Sequence, residues 1–152
     1  MNPKQKDIFL LAFLIVILLT INYPFLDKSL VDFLDEERKV RVDRVIDGDT
    51  IVSGNETIRL LGINSPERGE KYYLEAKQFL EYQILNKTVS LEFGRDKYDR
   101  YSRSLAYIHL DNDNINLKIV ENGLANYYFP SGKDVNYNDF IVAWEMCIEK
   151  RI

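Results

Sequence analysis

From residue 39 onward the apolar positions recur mostly every second residue, interrupted by one long stretch of helical spacing. Val40, Val42 and Val45 alternate imperfectly with charged residues, as a curved, half-buried strand does. Asp47-Gly48-Asp49 predicts a tight turn, and 50–53 a short strand. Ser53-Gly54-Asn55 is a second turn signal, followed by a third strand over 57–61. Asn64-Ser65-Pro66 predicts a loop, because the residue before a proline avoids the helical region. Over 71–86 the period changes. Leu74, Ala76, Phe79, Leu80, Ile84 and Leu85 make one apolar face of a helix of about four turns. Strands follow over 88–93 and 105–110, with a turn at 111–114. Asn114 or Asn116 can cap a short helix carrying Leu117, Ile119 and Val120, with Gly123 as its stop. A last amphipathic helix runs from about Tyr137 to the end and carries Phe140, Ile141, Trp144 and Ile148.

These elements predict an α+β domain over 39–152: a five-stranded OB-type β-barrel with about three packed helices. Such barrels use one face and its loops to bind nucleic acids. Ahead of the domain, 8–21 reads IFLLAFLIVILLTI, with Thr20 as its one polar residue and Lys4 and Lys6 before it. The run suits a signal-peptide core and is short of the roughly 20 residues of a membrane span. Tyr23, Phe25 and Leu26 extend it, and no small-x-small cleavage site follows. We expect an N-terminal hydrophobic helix within 1–26, acting as an uncleaved signal-anchor. A cleaved signal peptide and a buried core helix are the alternatives. Residues 27–38 predict a linker. The lysines orient the main domain outside the cell, membrane-anchored, or secreted if the segment is cut.

Composition narrows the function classes. With 46% apolar residues the chain can bury a core. The single Cys147 excludes an intramolecular disulfide and a Cys-rich zinc site. The net charge of −4 argues against gripping long duplexes by counterion release. Any attraction for nucleic acid must be local, through a few arginines and a bound cation.

The chemistry-bearing groups gather in 45–67, VIDGDTIVSGNETIRLLGINSPE. Asp47 and Asp49 flank a turn glycine, Arg59 leaves a strand, and Asn64, Ser65 and Glu67 share a loop. Oxygen ligands suit Ca²⁺ or Mg²⁺, a guanidinium suits phosphate, and a lone carboxylate can activate water. Taken singly these features have plainer explanations: an Asp-Gly turn, a solvated strand arginine, a helix-start acid. Only their combination points to phosphodiester cleavage.

The DGDT…IRLLGINSPE block, the stretch Asp99-Arg100-Tyr101-Ser102-Arg103-Ser104-Leu105-Ala106-Tyr107 and the segment Val120-Glu121-Asn122-Gly123-Leu124-Ala125 together resemble the micrococcal (staphylococcal-type) nuclease family. The resemblance covers 39–152 and implies an OB barrel with three helices. It also implies Ca²⁺-dependent hydrolysis of DNA and RNA at the 5′ P–O bond. Asp49 then resembles the first calcium carboxylate, with Asp47 supporting it. Asn64 stands where the family usually has a second aspartate ligand, and Ser65 where a backbone carbonyl completes the metal shell. Glu67 resembles the carboxylate acting on the attacking water, and Arg59 and Arg103 the two phosphate-gripping arginines.

The arginine loop contains its pattern twice, since Asp96-Lys97-Tyr98-Asp99-Arg100 has the same form. Arg103, two residues before the strand at Leu105, is the expected phosphate arginine, and Arg100 a second contact. Tyr101 and Tyr128 are candidate substrate contacts, since aromatic side chains stack bases. The expected substrate is DNA or RNA, single-stranded or locally open, and no protein partner is predicted. His109 is assigned no role, and Cys147 is read as a packing residue. Asn64 keeps an oxygen ligand and removes a charge, so the expected calcium site is weak. The competing expectation is a catalytically inactive module of the same fold that binds nucleic acid or protein.

Overall fold

The computed structural model describes residues 38–149, together with Gln5, Phe13, Leu14 and Ile17, which are helical. The chain divides into two compact units, Met1–Glu36 and Glu37–Ile152. Apart from those four positions and Arg38, the N-terminal hydrophobic helix expected within 1–26 and the linker over 27–38 lie outside the described residues. Among the described residues no helix is long and apolar enough to cross a membrane.

The expected first strand is two strands, β1 (Arg38–Arg41) and β2 (Arg44–Asp47), joined by Val42 and Asp43. The imperfect alternation in the sequence marks this bend. Val40 and Val42 point inward at spacing two, and the next inward residue, Val45, comes at spacing three. At the bend the backbone changes partners: Val42 N donates to Lys87 O at 2.9 Å, and Asp43 N to Val52 O at 2.9 Å. Next come β3 (Thr50–Ser53), β4 (Glu56–Leu60) and β5 (Gly62–Asn64). They are followed by β6 (Thr88–Tyr98), β7 (Ser104–Leu110), β8 (Asp113–Asn114) and β9 (Asn126–Tyr128).

The main sheet has the order β1-β6-β7-β4-β3-β2, with β8 added beside β7. Its two end strands are consecutive parts of one bent strand, so the sheet curls back on itself. Counting that strand once, and leaving aside the two-residue β8, gives the expected five. β4 and β7 run parallel, with Arg59 opposite Leu105, and the other pairs are antiparallel. β6 extends past the expected end at 93 to Tyr98, through exposed polar residues that carry no alternation signal. β5 and β9 form a separate two-stranded ribbon that the sequence did not predict, and Asn64, expected in a loop, ends β5. Three-residue strands paired across some sixty positions leave no periodicity to read.

Three helices, α1 (Tyr73–Ile84), α2 (Ile115–Glu121) and α3 (Tyr137–Glu149), pack in the same unit. α1 buries Ala76, Leu80 and Ile84, one row at spacing four. Leu74 does not join that face; two residues from Ala76 it lies around the helix and is 62% exposed. Asn114 is the cap of α2, its Oδ1 accepting from Leu117 N at 3.1 Å. Asn116, the other candidate, is fully buried. Its side chain accepts from Ile108 N at 3.0 Å and donates to Leu61 O at 2.8 Å and Ala106 O at 3.3 Å. That one amide ties α2 to the sheet. Gly123 (φ +67°) ends the helix, its N–H bonding Val120 O at 2.8 Å. α3 buries Phe140, Ala143 and Cys147, whereas Ile148 is exposed.

Candidate functional site

The site begins at the β2–β3 turn. Gly48 lets this turn press against both the Ser65 loop and α1. A Cβ there would lie 2.7 Å from Ser65 Cβ and 2.7 Å from Ala76 Cβ. The close approach brings the Ser65 backbone N–H to Asp49 Oδ2 at 2.8 Å. Asp49 is buried, and its other oxygen accepts from Thr50 Oγ1 at 3.0 Å. Asp47 receives the Asp49 N–H on Oδ1 at 3.2 Å. Burial, and then the neighbouring Asp49 charge, push the Asp47 carboxyl above the ordinary aspartate range.

Arg59 faces this pair because β4 lies beside β3, with Arg59 opposite Thr50. Its Nη2 lies 3.1 Å from Asp49 Oδ2. The same nitrogen approaches Ile63 O at 2.9 Å and Asn64 Oδ1 at 3.3 Å, and Nη1 bonds Leu60 O at 2.6 Å. The guanidinium is thus locked across the β4–β5 turn. Nε–H and one Nη1–H remain for a substrate oxygen. Burial lowers the Arg59 pKa; Asp49 opposes the shift, Arg103 adds to it, and Asp47 and Glu67 act weakly against it. The guanidinium therefore lies in the field of four of the residues singled out from sequence: Asp49, Arg103, Asp47 and Glu67.

Arg103 is supplied by the β6–β7 loop, and Asp99 holds it. The Asp99 carboxylate accepts from Tyr101 N at 2.8 Å, Arg103 N at 3.0 Å and Arg103 Nε at 2.7 Å. Burial works against the charged Asp99, but the Arg103 and Tyr101 hydrogen bonds outweigh it and hold its pKa below the usual value. Anchored through Nε, Arg103 keeps both Nη groups as an open fork, the geometry that suits a phosphate bidentately. Arg100 is exposed and lies over the Tyr101 ring, its Cζ 4.7 Å from the centroid. It is not among the leading charges that shift Arg59.

Glu67 is exposed, in a turn closed by Glu70 N to Glu67 O at 2.9 Å, with Glu67 N bonding Glu70 Oε2 at 2.7 Å. The β5–β9 ribbon sets Asn64 opposite Asn126 and Gly62 opposite Tyr128. Tyr128 is half exposed, and Tyr127 packs edge-on to Trp144 at 6.2 Å.

Sequence reasoning missed two contributors. Asp99 was read as part of a motif without a role, although an Asp opening a D-x-x-S loop is a side-chain-capped turn signal. Gly48 was read as a turn residue, whereas its function is close approach. No signal in the sequence reveals that.

Calcium, expected on Asp49, Asn64 and the Ser65 carbonyl with Asp47 beside them, meets a suitable set of hard oxygens. Half-buried Asp47 and buried Asp49 repel one another, which together with burial raises the Asp47 pKa, and a cation would relieve that repulsion. The set is sparse in charge. Among the described residues no group of three or more His, Cys, Asp or Glu side chains is gathered for a metal. Asn64 Oδ1 faces Arg59.

Residues 57–150 match the family described as Staphylococcal nuclease homologue. This chain belongs to the staphylococcal nuclease family. It is 36% identical over 149 residues to a thermonuclease of Staphylococcus intermedius, covering 88% of this chain and 87% of that protein. A thermonuclease of Staphylococcus hyicus is 35% identical over 109 residues, 64% of each chain. An uncharacterized endonuclease of Haemophilus influenzae is 35% identical over 107 residues, covering 67% of this chain and 59% of that protein. The staphylococcal nuclease match starts at β4 and so includes Arg59, Asn64, Glu67 and Arg103, but not Asp47 or Asp49.

Proposed function

We propose that the chain is a Ca²⁺-dependent nuclease hydrolysing phosphodiester bonds of DNA and RNA. Membership of a family whose relatives are named thermonuclease and endonuclease supports the nuclease class. The observation that carries the finer reading is the Arg59 environment: one guanidinium paired with Asp49 and in the field of Arg103, Asp47 and Glu67. The two arginines offer N–H groups to the non-bridging phosphate oxygens, where charge builds as the attacking oxygen arrives. Removing one such donor costs on the order of 10²–10³ in rate in comparable sites. Glu67, solvent-facing and acceptor-only when ionised, takes the proton of the attacking water. Asp49, Asn64 and the Ser65 carbonyl, with Asp47 behind them, would hold Ca²⁺. When bound, the ion supplies Lewis-acid charge beside the phosphate.

Incubating the purified full chain with single-stranded DNA and RNA, with millimolar Ca²⁺ and with chelator, tests the reading. Cleavage that requires Ca²⁺ is expected. Nucleotide binding without cleavage would instead support the non-catalytic module, which the charge-poor metal set favours. We also propose that 1–26 tethers the domain to the outer side of a membrane, on the strength of the apolar run and its preceding lysines. Protease accessibility of the domain on intact cells checks this.

A further inference from the structure

A cleft of about 420 Å³ is lined in part by Arg103, and neither Asp49 nor Arg59 lines it. Arg103, Tyr101, Tyr98, Ser104, Glu56 and Arg38 are among its walls. The volume lies within the range of about 300–1,000 Å³ usual for small-molecule sites. Three of the wall side chains form a polar network. Arg38 pairs with Glu56 through both nitrogens, Nη1 to Oε1 at 3.1 Å and Nη2 to Oε2, and buried Ser104 donates to Glu56 Oε1. The acid is thereby neutralised and held. Among the described residues Arg38 bonds only Glu56 through its guanidinium, and it is half exposed. Tyr98 and Tyr101 are 61% and 64% exposed, and Tyr98 stands opposite Ser104 where the β6–β7 hairpin opens.

We propose that this cleft is a nucleotide subsite for the stretch of strand adjoining the phosphate held by Arg103, with an unpaired base stacked on Tyr98 and backbone oxygens contacted by Arg38. The inference rests on the nuclease reading. Three features point to this ligand. The cleft shares Arg103 with the phosphate-holding pair, so a strand bound there leads directly into it. Arg103 and Arg38 both line it, and Glu56 is held by Arg38 and Ser104, so the wall between carries no unpaired acid against a phosphate. The exposed Tyr98 phenol offers a stacking face, which accepts any base outside a duplex stack, whereas the Tyr101 ring already carries Arg100 and Arg103.

The test compares kcat/KM of the full chain on a single-stranded octanucleotide and on a dinucleotide, for the wild type, Tyr98→Ala and Arg38→Gln. The subsite predicts that the octamer-to-dinucleotide ratio falls about ten-fold or more in Tyr98→Ala, the size of one lost base stack. The loss should sit in KM, and Tyr98→Phe, which keeps the ring, should restore the ratio. An unchanged ratio in Tyr98→Ala, or an equal loss on both substrates, overturns the proposal. A wild type that cleaves neither substrate overturns the nuclease reading instead, so the two failures are distinct. Arg38→Gln separates binding from folding. A lower ratio at an unchanged melting temperature supports the subsite, and a wild-type ratio removes Arg38 from it.

Discussion

Gly48→Ala is the most demanding test of the site's construction, because it alters no charge and no hydrogen-bonding group. The added methyl would meet Ala76 Cβ and Ser65 Cβ at 2.7 Å each, and Ser65 Oγ at 3.0 Å. Both carbons sit directly on backbone, so no rotamer change relieves the contact. Either the β2–β3 turn withdraws or the Ser65 loop and α1 move apart. Overpacking of this kind costs about 1–3 kcal/mol. For a unit of this size that lowers Tm by roughly 4 °C per kcal/mol. The functional loss should be larger than this stability loss suggests. Moving Ser65 lengthens the 2.8 Å bond to Asp49 Oδ2, and with it loosens the 3.1 Å pairing of Asp49 with Arg59. Misplacement by about 1 Å in a preorganised site can cost 10²-fold in rate. Thermal melts and initial rates at saturating Ca²⁺ measure the two effects separately. The double variant Gly48→Ala/Ala76→Gly removes one of the two carbon clashes and should regain part of the activity. Its helix is weaker by about 1 kcal/mol for the new glycine, so stability should not recover in parallel. Wild-type rates and Tm in Gly48→Ala would refute the claim that close approach at Gly48 holds the site together.

Arg103→Ala should reduce kcat/KM by about 10²-fold or more, while Arg100→Ala, lacking the Asp99 anchor, should reduce it by less than ten-fold. The reverse ranking would reassign the phosphate arginine. Asp99→Asn should weaken the Arg103 loop in a pH-dependent way. The Asp99 pKa is depressed in the fold, so its contribution is present above the unfolded value near about 3.9 and is lost as pH falls through the folded one. Stability curves of variant and wild type should therefore differ at neutral pH and converge in acid, and a constant offset would exclude the linkage. Asn64→Asp should tighten Ca²⁺ measured by calorimetry, because ligand charge tunes calcium affinity. Unchanged affinity would remove Asn64 from the ligand set. Asn116→Ala leaves Leu61 O, Ala106 O and the Ile108 N–H without their side-chain partner. It should lower stability by about 3 kcal/mol in chemical denaturation, and a loss below about 1 kcal/mol would show that water replaces the amide.

What could be read from the chain was local. Val40, Val42 and Val45, the 50–53 strand, the Ala76–Leu80–Ile84 row and the Asn114 cap each depend on neighbours within a few residues, and each was visible. Pairings across the chain were not. The β5–β9 ribbon joins residues 62–64 to 126–128, with too few positions on either strand for a period. Asn116 looked like a cap because its side chain is polar and near a helix start. Its partners at Leu61, Ala106 and Ile108 exist only after the sheet has curled. In the site the division is similar. Residue types pointed to Asp49, Arg59 and Glu67, because the chemistry limits the side chains that can serve, and the family resemblance pointed to Arg103. The Asp99 anchor and the Gly48 contact became visible only with the structure, since positioning can be done by any group that reaches.

The acidic net charge, which argued against nucleic-acid binding, has a local counterpart at the site. Four carboxylates, Asp47, Asp49, Glu67 and Asp99, stand with two guanidiniums, Arg59 and Arg103. With every carboxyl ionised the cluster is two charges negative, and a phosphodiester adds one more. Such a site repels its substrate unless a cation shares it, and the raised Asp47 pKa records part of that strain. A divalent ion would bring the empty site to neutrality and the substrate-loaded one to a single negative charge. An aspartate at position 64 would add another. If the proposed calcium site is right, Asn64 would exchange metal affinity for a less repulsive loaded site, a trade that suits surroundings rich in Ca²⁺. On this argument Asn64→Asp gains calcium binding and loses substrate binding together, opposite movements that no simple ligand count would predict.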